Sequence, residues 1–141
     1  MYNQIELRNR ICEIVKTRYP DIDLYDKPLK QKFKTPAFFV YFRRVSSKDL
    51  QYLRTSTLNI SIYYYGNDLN DLEDDYLIKE TELNSLFKHF FQIKKSKILI
   101  ENKIFVRDED FLLLNFYIDI RELSDYKDEG MLIGEVKTKF K

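Results

Sequence analysis

Two long runs in which every second residue is apolar constrain this chain more than any other feature. Leu58, Ile60, Ile62 and Tyr64 alternate with Asn59, Ser61 and Tyr63, and Leu112, Leu114, Phe116, Ile118 and Ile120 share one side of a second run. Successive side chains of a strand point to opposite faces. Each run therefore predicts a long strand with one covered face. Both belong to hairpin patterns. Ala37 to Val45 predicts a strand that is apolar on both faces at its start, and Ser46, Ser47, Lys48 and Asp49 predict a turn into a partner strand from Tyr52 to Tyr65. Ile98 to Arg107, the turn residues Asp108, Glu109 and Asp110, and Phe111 to Glu122 predict a second hairpin.

Around these lie two helical patterns. From Asn3 to Tyr19, Leu7, Ile11, Ile14, Val15 and Arg18 recur at spacings of three and four, and Pro20 ends the pattern. Ile22 to Tyr25 predicts a short strand, and Lys27 to Thr35 a loop. After Gly66, Asn67 and Asp68 a second helix is expected from Leu69 to Gln92, with Leu72, Tyr76, Lys79, Leu83, Phe87 and Phe90 on its inner stripe. Asp71, Glu73, Asp74 and Asp75 in its first turns complement the positive end of the helix dipole. The expected fold is α+β: a mainly antiparallel sheet of two hairpins plus a short strand, with two helices packed on one face. The expected organisation is one domain over residues 1–122 followed by a C-terminal arm at 123–141, with a short strand at Met131 to Val136.

Scarcity excludes several chemistries. One cysteine, Cys12, permits no disulfide within the chain, and one histidine, His89, leaves no material for a His-rich metal site. Ser85 and Leu86 occupy the positions a helical turn before His89, so no carboxylate orients it for catalysis. Three glycines cannot build a glycine-rich phosphate cradle. The acids from Asp68 to Asp75 lack the central glycine and alternating ligands of a calcium loop. The reading is a protein that is not an enzyme and carries no cofactor or metal. The longest apolar run, Ala37 to Phe42, is far shorter than the roughly 20 residues of a membrane span, and the N-terminus lacks a signal-peptide pattern. The expectation is a cytoplasmic protein without a membrane partner.

The formal net charge is +1, yet the charges are segregated. Lys27, Lys30, Lys32, Lys34, Arg43, Arg44 and Lys48 form a stretch without a single acid. Asn67 to Glu82 carries seven acids against Lys79, Lys88 to Arg107 is basic again, and Asp108 to Glu129 is acidic. Blocks of both signs in a nearly neutral chain supply what head-to-tail self-association needs. The candidate interface residues are Lys27, Lys30, Lys32, Lys34, Arg43 and Arg44 on the basic side and Asp71, Asp74 and Asp75 on the acidic side. The basic stretch with Phe33, Phe38 and Phe39 also admits a second reading, a nucleic-acid-binding accessory protein.

Tyr19-Pro20-Asp21-Ile22-Asp23-Leu24-Tyr25, followed by Lys32-Phe33-Lys34-Thr35-Pro36-Ala37-Phe38-Phe39-Val40, resembles the tail terminator proteins of phages and prophages of Gram-positive bacteria. The resemblance, with its order of helix, short strand, hairpin, helix and hairpin, covers about residues 1 to 122. It implies a structural protein without catalytic residues. Such a protein forms a homo-oligomeric ring, commonly a hexamer, on the head-proximal end of a tail tube. Its implied partners are other copies of itself, the tail tube protein, the sheath protein in contractile tails, and the head–tail connector. DNA would be only cargo passing through the ring. Assembly would take place in the host cytoplasm, either on a virus or on a headless, bacteriocin-like particle.

Overall fold

The computed structural model describes residues 3–27, 33–49, 51–67 and 71–123. The chain forms α1 (Gln4–Arg18), β1 (Asp23–Tyr25), β2 (Ala37–Asp49), β3 (Leu53–Tyr65), α2 (Leu72–Leu86), β4 (Phe90–Ile93), β5 (Ser96–Leu99), β6 (Glu101–Arg107) and β7 (Leu112–Leu123). Five strands make one sheet in the order β1-β2-β3-β7-β6, and β4 and β5 form a separate two-stranded ribbon. All pairings are antiparallel except that of β1 with β2. The fold is α+β, as the alternating runs predict.

The two alternating runs lie side by side in the centre. Leu58 pairs with Ile118, Ile60 with Phe116 and Ile62 with Leu114, and all six are fully buried. Leu7, Ile11 and Val15 of α1 and Tyr76 and Leu83 of α2 join the same core cluster, so both helices cover one face of the sheet. Burying a large aliphatic or aromatic side chain contributes about 1.5–3 kcal/mol, which makes this layer the main source of stability. α1 starts with a capping box: the Asn3 side chain accepts from the Glu6 amide at 2.8 Å, and Glu6 accepts from the Asn3 amide at 3.2 Å. The backbone hydrogen bond at Asn3 also holds the Glu6 carboxyl below its usual range. Tyr19 closes the helix, its amide donating to the Val15 carbonyl at 2.9 Å, and Pro20 follows.

The expected strand Ile98–Arg107 breaks at Ile100 into β5, paired with β4, and β6, paired with β7, and three other local expectations are corrected. The second helix spans Leu72–Leu86 and does not reach Gln92. Phe87 caps it, and Phe90–Ile93 turns into β4, where Phe91 and Ile93 are buried and Phe90 and Gln92 exposed. Apolar residues at Phe87, Phe90 and Phe91 satisfy a helical period as well as a strand period. The two-residue turn Lys94–Lys95, with Lys94 at φ 54°, decides for the strand. Secondly, Ser46 to Asp49 is not a turn but the end of β2. These residues are polar because this end of the strand is exposed, and they pair with Arg54, Thr55, Ser56 and Thr57 across a bulge between Arg44 and Ser46. Thirdly, Arg18 is not on the inner stripe of α1; it lies at the surface, paired with Glu82 at 3.0 Å. The expected strand at Met131–Val136 and the arm lie outside the described residues.

Candidate assembly interface

The side of the sheet away from the helices is lined by rings. Tyr25, Phe39, Tyr41, Tyr63, Tyr65 and Phe111 alternate with core residues along their strands and so point the other way. Phe33 joins them from the chain before β2, 4.8 Å from Phe39 and 5.0 Å from Tyr65 between centroids. Phe111 closes the far side, 5.3 Å from Tyr63. Edge-to-face pairs of this kind add about 0.5–1.5 kcal/mol beyond burial. Tyr41 and Tyr65 are only half-buried, yet desolvation among the rings raises both phenol pKa values. Further along the same face the rings give way to polar side chains. Asn59 donates to Asn115 at 2.6 Å, Ser61 donates to Asn115 at 3.2 Å, and Thr57 donates to Asp119 at 2.6 Å.

Exposed charge is distributed along the rim of this surface. Lys27 follows β1, Lys34 precedes β2, and Arg43 and Arg44 lie at the middle of β2 on opposite faces; all four are exposed. They run along the β1–β2 flank of the sheet. Lys30 and Lys32 lie outside the described residues. On the opposite flank, the turn between β6 and β7 carries Asp108, Glu109 and Asp110, all exposed. The turn is held by the Asp108 amide donating to the Phe111 carbonyl at 2.9 Å and the Glu109 amide donating to Asp108 Oδ1 at 2.6 Å.

The acids at the start of α2 do different jobs. Asp71 caps the helix, accepting from the Glu73 amide at 3.1 Å. Asp74 is exposed. Asp75 is half-buried and both its oxygens are engaged inside the molecule, by the Tyr64 hydroxyl at 2.6 Å and Lys79 Nζ at 3.0 Å. A Cβ built on Gly66 would fall 2.7 Å from Leu72 Cδ2, so glycine permits the close seating of α2 on the end of β3. A parallel arrangement ties α1 to α2: the Tyr19 hydroxyl donates to Glu82 at 2.7 Å, and Lys79 lies 5.5 Å above the Tyr19 ring. Burial, then the carboxylate bond, pushes both the Tyr19 and Tyr64 phenols far above their ordinary pKa.

The two scarce residues occupy ordinary positions. Cys12 is half-buried on α1, and desolvation raises its thiol pKa to about 11. His89 is exposed, and its carbonyl accepts from the Ile100 amide at 2.9 Å. Among the described residues, no three of His, Cys, Asp and Glu come together as a metal-binding group. No described helix is long and apolar enough to cross a membrane. Sequence reasoning named the basic flank and the acids of α2. Asp108 to Asp110 were legible as a turn opening an acidic block, but were not among the candidate interface residues.

No curated protein matches the chain. One solved structure aligns with 91% of this chain and 100% of its own at 14% identity and a TM-score of 0.42, too loose a likeness to carry an argument. A family model described as phage tail terminator protein matches residues 6–130, most of the chain including every described strand and helix apart from the first two residues of α1. The chain therefore belongs to the phage tail terminator family, a structural family of the phage tail.

Proposed function

We propose that the protein assembles as a ring, of six copies, on the head-proximal end of a tail tube, where it ends tail growth. The ring presents the surface that joins the head or, in a contractile tail, ends the sheath. Family membership supports the place in the tail. The observation that carries the ring is a basic cluster on one flank of the sheet, where Asp23, Asp26 and Asp49 also lie, and an acidic turn on the other. Lys27, Lys34, Arg43 and Arg44 lie on the β1–β2 flank, and Asp108, Glu109 and Asp110 lie on the β6–β7 flank. Opposite signs on opposite flanks suit a heterologous contact, which closes into a ring when the rotation between copies allows it. Asp71 and Asp74 extend the acidic surface at the start of α2. No finding favours the nucleic-acid reading.

Electron microscopy of tails from cells lacking the gene tests the proposal. Tails of uncontrolled length, or tails that fail to join heads, are the expected result. Uniform tails of normal length would refute it.

A further inference from the structure

Among the described residues the sheet has two open edges, and their geometry fits each other. β1 covers β2 only at Ala37–Phe39, and beyond that no described strand pairs with the outer side of β2 up to Asp49. At the other edge, none pairs with the outer side of β6. An open strand edge is a template for another strand unless something blocks it. Direction decides which pairing a ring permits. β3 runs antiparallel to β2, β7 antiparallel to β3, and β6 antiparallel to β7, so β6 runs antiparallel to β2. Successive copies in a ring keep the same sense, so β6 of one copy meets β2 of the next as an antiparallel pair.

That direction also places the turn. Following Arg107, the acidic residues would point back along β2 towards the end of β1, where the covering strand stops at Tyr25. A cleft opens there, lined by Gln4, Ile5, Arg8, Asp26, Tyr41 and Phe42. Lys27 and Arg43, both exposed, adjoin it in sequence. Among the described residues Arg8 Nε is buried without a hydrogen-bond acceptor, 3.5 Å from Asp26. Arg8 is already ion-paired with Asp26, so the exposed Lys27 and Arg43 supply the positive charge that an incoming carboxylate would meet. On the helix-free face, exposed Ile104 and Val106 of β6 would meet the Tyr41 side of β2.

We propose that neighbouring copies join edge to edge, with the outer edge of β6 pairing with the open edge of β2 and Asp108, Glu109 and Asp110 entering the cleft beside Arg8, Lys27 and Arg43. The partner is a second copy of this chain. The inference rests on the ring reading above and adds to it the surfaces that meet.

Two full-length variants test it, each supplied to cells lacking the gene. One carries Glu109→Lys and Asp110→Lys; the other carries Lys27→Glu and Arg43→Glu. Each alone should lower the copies of the protein recovered on purified tails by about tenfold or more, since like charges facing each other cost several kcal/mol. Supplied together they should restore near-normal recovery, because alternating copies then face opposite charges at every joint. The neutral pairs Glu109→Gln/Asp110→Asn and Lys27→Gln/Arg43→Gln, each expected to weaken recovery less, serve where circular dichroism shows that reversal harms folding. Full recovery of either reversed variant alone, or a mixture no better than its parts when both are folded, overturns the edge-to-edge joint. Tails capped normally by such variants leave the ring reading standing; uniform tails without any copy of the gene remove that reading and this one with it.

Discussion

The hydroxyl of Tyr64 donates to the carboxylate of Asp75 across 2.6 Å, joining the central strand β3 to α2. Lys79 holds the other oxygen of Asp75 at 3.0 Å and lies 5.1 Å above the Tyr64 ring, so one carboxylate, one phenol and one ammonium form a single network. Tyr64→Phe should lower stability by about 1–2 kcal/mol, the range for a bond to a charged acceptor that keeps a second partner. Urea unfolding of the two proteins measures the difference.

Burial of the Tyr64 and Tyr19 phenols, and then their bonds to Asp75 and Glu82, gives the protein an alkaline limit. The folded state raises the phenol pKa of Tyr64 and Tyr19, so it binds these protons more tightly than the unfolded chain, whose tyrosines titrate near about 10. Their contribution is fully present below pH about 10 and is lost as pH rises further. Stability should therefore fall above pH about 10, and Tyr19→Phe/Tyr64→Phe should flatten that fall. Melting curves across the alkaline range provide the check.

Cys12 should behave as an inert thiol. With a pKa of about 11 it holds little thiolate at pH 8. Alkylation by iodoacetamide should run roughly a hundredfold slower than for the urea-unfolded chain, whose cysteine has a pKa of about 8.5. Equal rates in the folded and unfolded protein would place Cys12 in solvent.

Asn102 sits at φ 53° in the irregular stretch of β6 between Glu101 and Ile104. Asparagine and glycine tolerate this conformation, whereas a β-branched residue does not. Asn102→Val should cost about 1–2 kcal/mol and Asn102→Gly much less. Thermal melts compare the two directly.

The large features of the fold were legible because burial follows strand period. The runs Leu58 to Tyr64 and Leu112 to Ile120 carry a period that only one side of a sheet satisfies, and they became the two central strands. Pro20 marked the end of α1 equally well. The limits of α2 were not legible. Phe87, Phe90 and Phe91 fit two periods, and the turn that decides between them uses Lys94 and Lys95 where glycine or asparagine would have signalled it. Ser46 to Asp49 misled for the opposite reason, since an exposed strand end has the composition of a turn. The proposed interface was legible as charge order alone. That Lys27 and Arg43 share one flank, while Asp108 to Asp110 occupy the other, depends on the strand order β1-β2-β3-β7-β6, which pairs strands distant in sequence.

The claim that this protein ends tail growth is tested most directly by tube length. Purified tube protein is allowed to elongate with increasing amounts of this chain, and the lengths are measured by electron microscopy. Tubes should shorten as the chain is added, with the chain found in a ring at one end only. Tubes that elongate equally with and without it, or that carry it along their whole length, would contradict the account.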